Sequence, residues 1–325
     1  MTNLAKEILA TGILLSSIVA CVAQAQTGNP GGSVNDLLGA MDYGVCRGTD
    51  PACYHDWARP DSDEYRVLLF TKTAGPRHGH LGAPLAAGLN PELAEDNVVQ
   101  RELGKLLAAA NITMHYTEDG AVLGGLNSYH AIIFFSTSRD NLNDGEKTAL
   151  RQYMRRGGGF VGVHNAFGTQ YNWPYYEGLL GGANFFDHGP HRVADVVLVN
   201  SSDASTRDLP QRFSFMDEWY NLIPFPTQVR FLATVDENSM QVPPPREPRP
   251  PRPGQLPAVL GGHPGHGSFH PVTWCQYYDG GKSWVTTLGH DPAIWTNPDF
   301  EGGAEFKTML LGGIKSVIGL EPFCQ

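Results

Sequence analysis

Short apolar runs alternate with helical patterns through the first half of the chain, and this alternation constrains the fold more than any other feature. Four runs predict strands: Val67–Phe70, Ile112–Tyr116, Ala131–Phe135 and Phe160–Val163. Apolar residues at helical spacing occupy 98–110, and a capped helical pattern covers 143–155. Because strands that alternate with helices build βαβ units, we predict an α/β fold, with a mostly parallel sheet flanked by helices.

The second half of the chain is less regular, although further elements are predicted there. Strand patterns lie at 193–199, 229–235, 273–278 and 283–288, with a hairpin turn at 279–282 and a closing helix at 306–318. Gln241–Pro257 contains eight prolines and three arginines, which excludes a helix or a central strand. We therefore predict an exposed insertion at 241–257 inside one domain that spans 64–325. A solvated loop is the simpler interpretation, and a contact with an acidic partner is the alternative.

Residues 1–25 have the pattern of a signal peptide. Ile8–Val19 carries no charge, and Ala23–Ala25 offers a cleavage site between small residues. One alternative is a lipoprotein anchored at Cys21, because Ile18–Cys21 resembles a lipobox, and the other is a buried N-terminal helix. The signal peptide and the lipoprotein both predict an exported protein, either periplasmic or secreted.

The mature chain is predicted to begin with a loop-rich extension and to lack a membrane span. Residues 26–63 are rich in Gly, Asp and Pro and show little periodicity. No apolar run beyond the N-terminus reaches the roughly 18 residues that a transmembrane helix needs. Acidic residues exceed basic ones by 33 to 23, giving a net charge of −10, which argues against a nucleic-acid partner.

Four cysteines remain after the predicted cleavage, and an even number in an oxidising compartment favours disulfides. Three pairings are possible. Cys46 and Cys53 are seven residues apart in a turn-rich stretch, so we predict that they pair and leave Cys275 with Cys324. Four free thiols are the alternative.

Histidines follow several of the predicted strands. The chain has twelve histidines; His78 follows the first strand, His164 the fourth and His290 the last. Because the carboxyl ends of parallel strands meet at one edge of a sheet, these three rings are expected to converge there. Imidazole is a common metal ligand and the usual acid or base near neutral pH.

Asp217-Glu218-Trp219-Tyr220 places two carboxylates beside two aromatic side chains. Aromatic faces stack on sugar rings, and a neighbouring carboxylate can bind hydroxyl groups or act as a base. The alternative is a half-buried sheet edge with a salt-bridged glutamate.

Several motifs are absent, and their absence excludes enzyme classes. The chain has no GxxxxGK[ST] phosphate loop, and no GxGxxG follows the first strand. The turn Gly162–Ala166 has a histidine where a nucleophile elbow carries Ser or Cys, so acyl transfer by such a nucleophile is excluded at this position.

Seven short segments, in order over about four-fifths of the chain, form a pattern typical of one family: Val67–His78, Thr117–Asp119, Gly157–His164, Phe186–His188, Asp217–Tyr220, His270–Trp274 and Leu288–His290. Through these segments the chain resembles the ThuA-like (trehalose-utilisation) family, which has a flavodoxin-like, class I glutamine amidotransferase-like fold without the amidotransferase cysteine. The chain departs from the pattern at Pro76, where an aromatic residue is more usual, at Gly189, where Pro is usual, and at the proline-rich insertion.

The resemblance implies sugar metabolism, with trehalose, related disaccharides or their keto derivatives as small-molecule carbohydrate substrates. We therefore hypothesise an exported, metal-dependent hydrolase, lyase or isomerase. Its divalent metal, with zinc as the first candidate, would be held by some of four histidines: His78, His164, His188 and His290. The predicted catalytic residues are His164, Glu218 and Asp217, and the predicted substrate-binding residues are Arg77, Trp219, Tyr220, His270 and Trp274. The alternatives are a non-catalytic carbohydrate-binding protein and an amidotransferase-like scaffold in a protein assembly.

Overall fold

A computed structural model describes residues 43–57, 60, 64–240 and 263–325. The predicted signal peptide 1–25, the alternative lipid anchor at Cys21 and the insertion 241–257 lie outside the described residues. Within the described part of the chain, no helix is long and apolar enough to cross a membrane.

The described residues form twelve strands and five α-helices, joined by short 3₁₀ turns. The strands are β1 (Arg47–Gly48), β2 (Arg66–Phe70), β3 (Thr113–Thr117), β4 (Ala131–Phe135), β5 (Gly159–Val163), β6 (Phe185–His188), β7 (Arg192–Leu198), β8 (Arg212–Asp217), β9 (Tyr220–Leu222), β10 (Arg230–Asp236), β11 (His270–Tyr278) and β12 (Gly281–Thr286). The helices are α1 (Val98–Ala109), α2 (Asp144–Arg155), α3 (Pro174–Leu179), α4 (Ala293–Thr296) and α5 (Gly303–Ile318).

Ten of these strands form one sheet whose first half is parallel. The order there is β3-β2-β4-β5-β12, and every neighbouring pair is parallel. Successive side chains of a strand point to opposite faces, so β2 contributes Val67 and Leu69 to one buried core and Leu68 and Phe70 to the other. Helices cover both faces, which explains why these strands are continuous apolar runs.

The second half of the sheet is antiparallel, in the order β12-β11-β10-β7-β8, with β1 added at β11. β11 and β12 are joined by a tight turn in which Asp279 and Gly280 both have positive φ, the conformation expected of a two-residue hairpin. β6 and β9 form a separate antiparallel pair. The predicted α/β fold with a mostly parallel sheet is confirmed, and the antiparallel extension is built by the less regular second half of the chain.

The helix predicted to begin at Asn143 forms as its capping pattern indicates. The Asn143 side chain accepts from the Glu146 N–H at 3.0 Å, and Glu146 accepts from the Asn143 N–H at 2.8 Å. This reciprocal pair satisfies N–H groups that have no partner inside the helix. At the other end, Gly157 has a φ of 103°, a conformation that favours glycine and ends the helix. The chain then enters β5.

Two disulfides link the four described cysteines as predicted, Cys46 with Cys53 and Cys275 with Cys324. The first closes a short loop beside β1, with its Cα atoms 5.3 Å apart. The second joins β11 to the segment that follows α5, with its Cα atoms 5.7 Å apart, and so attaches the C-terminus to the sheet.

Candidate metal centre

Four polar side chains from separate strand ends converge at the carboxyl edge of the parallel strands. His78 lies in the loop after β2, His164 follows β5, His290 lies shortly after β12, and Glu218 follows β8. One ligand atom from each lies within 4.8 Å of the others. Three of the four predicted metal histidines therefore meet, and Glu218 completes the group.

The position of Glu218 depends on curvature of the sheet. β8 lies four strands from β12 in the sheet order, yet Asp217 at its end accepts a hydrogen bond from the Gly289 N–H at 2.7 Å. The antiparallel half must therefore curl over the carboxyl edge of the parallel half. This contact places Glu218 beside the histidines.

His164 occupies a strained turn directly after β5. It is completely buried, its φ is 52°, and a 3₁₀ turn over 164–168 follows it. A non-glycine residue in this left-handed region costs free energy and is typical of functional sites. Its ring is oriented by a bond from Nδ1 to the Thr287 carbonyl oxygen at 2.9 Å. Because a carbonyl only accepts, Nδ1 carries the proton and Nε2 presents its lone pair to the cluster.

Three groups approach that one lone pair. His78 Nε2 lies 3.1 Å from His164 Nε2, the Tyr220 hydroxyl lies 2.9 Å from it, and His290 Nδ1 lies 3.2 Å from it. One lone pair can accept only one proton donor well, so these contacts cannot all be good hydrogen bonds at once. A cation removes the conflict between the rings, because each imidazole can then offer a lone pair of its own.

The spacing and the donor types suit zinc. Tetrahedral zinc with Zn–N bonds of about 2.0–2.1 Å holds its ligand atoms roughly 3.3 Å apart. The two nitrogen pairs above are 3.1 and 3.2 Å apart, and Glu218 Oε2 lies 3.0 Å from His290 Nδ1. His78 Nδ1 is buried and finds no hydrogen-bond partner among the described residues, so no second group dictates which nitrogen of this ring is protonated. The residues fit a divalent metal.

Electrostatics keep two of the rings in the form that binds a metal. Burial, assisted by the neighbouring histidines, lowers the pKa of His78 to about 4 and holds the pKa of His164 well below its ordinary value. Both rings are therefore neutral near pH 7. Burial disfavours the Glu218 carboxylate, but its hydrogen bond with His290 and the surrounding histidines hold its pKa below the usual range. The same carboxylate raises the pKa of His290 in spite of burial.

Asp217 binds the backbone of the segments that carry two of the four converging side chains. It is completely buried, and besides Gly289 it accepts from the N–H groups of His290 at 3.2 Å and Glu218 at 2.8 Å. Burial raises the pKa of Asp217 to about 7, although these backbone donors favour the ionised form. Its oxygens face the backbone of the two segments that carry His290 and Glu218, so Asp217 positions those two side chains.

His80 was not among the residues predicted from the sequence. It is wholly buried; one ring nitrogen contacts the His290 carbonyl oxygen at 2.8 Å and the other contacts Ser136 Oγ at 2.8 Å. It thereby joins the loop after β2 to the ends of β4 and β12. Two features of the sequence could have indicated this role: His80 lies two residues after His78, and the polar Ser136 follows β4 directly.

His188 lies on the rim of the cluster. Its side chain is 37% exposed, its Nδ1 donates to the Gly189 carbonyl oxygen at 2.7 Å, and the same nitrogen lies 3.7 Å from Glu218 Oε1. It is outside the group of four converging ligands. The predicted metal ligand His188 therefore lies beside Glu218 without joining the group of four.

Among the residues predicted to bind substrate, one contacts the cluster and two are buried tryptophans. Tyr220 reaches the cluster through its hydroxyl group. Trp219 and Trp274 are almost wholly buried, with their indole N–H groups bonded to the Arg192 and Leu180 carbonyl oxygens, which leaves little of either ring for stacking on a ligand.

Arg77 and His270 are bound to neighbouring segments of the chain. Arg77 pairs with Glu118 at 2.8 Å and donates to the carbonyl oxygens of three consecutive loop residues, Leu81, Gly82 and Ala83. His270 is buried between Glu237 Oε1 at 2.7 Å and the Tyr220 carbonyl oxygen at 2.9 Å.

A cleft of about 340 Å³ lies next to the cluster, and its wall includes His188 and two of the predicted substrate-binding residues, Trp219 and His270. Its polar lining includes residues that the sequence did not single out: Asp187, Arg192, Asn221, Glu237 and His263. This volume is at the lower end of the range found for small-molecule sites.

Comparisons with known proteins agree with the fold. The sequence model of the family described as ThuA, trehalose utilisation, matches residues 66–315. Among curated proteins, none matches the chain significantly. A ThuA-like protein from Bacteroides uniformis has a similar structure, with 18% identity, a TM-score of 0.56, and coverage of 81% of this chain and 94% of that one. A ThuA-like protein from Parabacteroides merdae has 14% identity, a TM-score of 0.53, and coverage of 80% and 91%.

Proposed function

The chain belongs to the ThuA family of trehalose-utilisation proteins, and on that premise we propose that it is an exported enzyme that processes a disaccharide or keto-glycoside with a divalent metal. One observation carries the proposal. The ligand atoms of His78, His164, Glu218 and His290 converge at the carboxyl edge of the parallel strands, the edge at which open α/β sheets bind ligands.

A metal bound by these four residues would polarise a carbonyl group or activate water. Around it, the described residues have separable roles. Thr287 orients His164, and Asp217 orients the segments that carry His290 and Glu218. The second oxygen of Glu218 lies 3.7 Å from His188 Nδ1, so this imidazole stands between the cluster and the cleft.

Export is supported by the two disulfides, because such bonds persist in oxidising compartments. A sugar substrate is supported by the family and by the polar cleft beside the cluster. Hydroxyl groups of a sugar would find both donors and acceptors there, in Asn221 and Asp187.

The proposal is tested by elemental analysis of the purified protein, with zinc supplied during expression and purification. The wild type is expected to retain about one metal ion per chain. The double variant His164→Ala/His290→Ala is expected to retain none. His188→Ala is the matched control, since it removes a nearby imidazole that lies outside the four ligands. Absence of metal from the wild type, or equal metal in the double variant, would overturn the proposal.

Turnover is then measured on the metal-loaded protein with trehalose, related disaccharides and their keto derivatives. His164→Ala is expected to abolish turnover while the protein stays folded, as judged by circular dichroism. Unchanged turnover in that variant would contradict the assignment of His164.

A non-catalytic carbohydrate-binding protein is the second candidate, and one observation favours it. None of the residues that line the cleft is among the four converging ligands, so a sugar could bind there without the metal. Sugar binding that persists unchanged after chelation, without turnover of any of these sugars, would favour this candidate.

A further inference from the structure

We infer that the cleft beside the metal centre selects sugars that carry an anionic group, and that Arg192 makes this selection; the inference rests on the proposed function. Arg192 begins β7 and lies opposite Asp217 of β8 in the sheet. It is therefore directly beside the segment that supplies Glu218. Its side chain lines the cleft and is partly exposed.

The Arg192 guanidinium has no charged partner among the described residues. Its one side-chain hydrogen bond runs from Nε to the Pro190 carbonyl oxygen at 3.3 Å, and none of the described carboxylates forms an ion pair with it. The terminal nitrogens of the guanidinium remain available. Arg192 is also the only Lys or Arg among the described residues that line the cleft.

The two carboxylates in the cleft are already engaged. Asp187 accepts from the Asn221 side chain at 2.8 Å through one oxygen and from the His263 N–H at 2.8 Å through the other. Glu237 Oε1 lies 2.7 Å from His270 Nδ1 and accepts from the His266 N–H at 2.6 Å. The unpaired guanidinium is therefore the group that most favours an anionic ligand.

Gly189 gives Arg192 the space it occupies. A Cβ atom at position 189 would lie 2.9 Å from the nearer terminal nitrogen of Arg192, closer than real side-chain contacts allow. Because this contact is with the far end of a flexible side chain, an alanine at position 189 would displace the guanidinium at little cost to folding.

A guanidinium binds planar or tetrahedral oxyanions through two parallel hydrogen bonds. Both a carboxylate and a phosphate group meet this requirement. The ligand class is therefore a sugar acid or a sugar phosphate, with the sugar hydroxyl groups facing Asp187 and Asn221.

The test is calorimetric titration of the purified full chain with glucuronate, glucose 6-phosphate and glucose. Each titration is repeated after chelation, because carboxylates and phosphates also bind metal ions directly.

Four variants separate the contributions to binding. Arg192→Gln removes the positive charge, and Arg192→Lys keeps the charge but cannot form the bidentate hydrogen bonds. Arg101→Gln, which removes a positive charge from the exposed surface of α1, is the control. Gly189→Ala keeps Arg192 but displaces its guanidinium, and it remains informative where Arg192→Gln folds poorly.

At least one charged sugar is expected to bind about tenfold or more tightly than glucose, the usual effect of a hydrogen bond to a charged group. That preference should vanish in Arg192→Gln, shrink in Gly189→Ala and Arg192→Lys, and persist in Arg101→Gln. The ratio of glucuronate to glucose 6-phosphate affinity distinguishes the two anions. Equal binding of glucose, no binding of any sugar, or an unchanged preference in Arg192→Gln would overturn the inference. The metal content of the same preparations tests the proposed function independently of this inference, because Arg192 is not among the four proposed metal ligands.

Discussion

The Tyr220 hydroxyl lies 2.9 Å from His164 Nε2, so this tyrosine donates to the lone pair that the metal would use. Tyr220 is itself held in place, because its carbonyl oxygen accepts from His270 at 2.9 Å. The hydroxyl and a metal ion would therefore compete for one atom. A metal ion bound at His164 Nε2 would displace the Tyr220 hydroxyl from this lone pair.

The first prediction concerns this competition. Tyr220→Phe removes a neutral hydrogen bond with a net value of about 0.5–1.5 kcal/mol, so zinc or cobalt affinity is expected to stay equal or rise by up to about tenfold. Tyr278→Phe is the control, since that buried hydroxyl donates to the Tyr175 carbonyl oxygen instead. Both affinities are measured by competition with a chromogenic chelator. A loss of metal affinity in Tyr220→Phe alone would show that the hydroxyl supports the metal.

The second prediction concerns the support that Asp217 gives. Asp217→Asn turns one acceptor oxygen into a donor that faces backbone N–H groups, which should destabilise the protein by about 1–3 kcal/mol. Because the variant loosens the segments carrying His290 and Glu218, metal affinity should also fall by about 10- to 100-fold.

Asp203 provides the matched control for Asp217. It is equally buried, and it accepts from the backbone N–H groups of Ser205 at 2.9 Å and Gln325 at 3.1 Å, with no contact to the metal ligands. Asp203→Asn should lower the urea midpoint to a similar extent and leave metal affinity unchanged. Similar metal loss in both variants would mean that general destabilisation, rather than positioning, is being measured.

The parallel half of the fold was predictable because its signals are local. The apolar runs of β2, β4 and β5 and the cap of α2 each depend on neighbouring residues, and the strand-end rule then placed His78, His164 and His290 together. The position of Glu218 beside these histidines was not predictable in this way, because it depends on the hydrogen bond between Asp217 and Gly289, which are 72 residues apart.

The predicted substrate-binding residues are positioned partly by local pattern and partly by distant contacts. Buried positions alternate along β8 at Phe213, Phe215 and Asp217, and continuing that period places Trp219 in the core. The sequence contained this signal. The partner of Arg77 is Glu118, 41 residues away, and only the pairing of β2 with β3 brings the two together.

The third prediction ranks the two disulfides. In the chain-entropy model, the 49-residue separation of Cys275 and Cys324 corresponds to about 4 kcal/mol, and the 7-residue separation of Cys46 and Cys53 to about 2.4 kcal/mol. Replacing both cysteines of a pair by alanine should therefore destabilise the protein more for the long loop than for the short one. Urea unfolding of the two double variants checks this. The reverse order would mean that contacts around the short loop, and not chain entropy, dominate.

The fourth prediction concerns acid stability and His266, which lies near the cleft and away from the metal ligands. Its Nε2 accepts from the Leu222 N–H at 3.0 Å, so the ring must be neutral at that atom in the folded protein. Burial, followed by the charges of His270 and His263, lowers the pKa of His266 to about 4, compared with about 6.5 in an unfolded chain. Between these values the unfolded chain binds the proton and the folded protein does not. The contribution is therefore present above about pH 6.5 and is lost as the pH falls toward 4.

His266→Gln tests this, because the glutamine oxygen can accept the same N–H group and does not titrate. The free energy of unfolding is measured for both proteins from about pH 7.5 to about pH 4.5. The wild type is expected to lose more stability than the variant across this range, so any advantage it has at neutral pH should shrink as the pH falls. Parallel curves would mean that His266 binds no fewer protons in the folded protein than in the unfolded chain, and that the hydrogen bond to Leu222 does not hold the ring neutral.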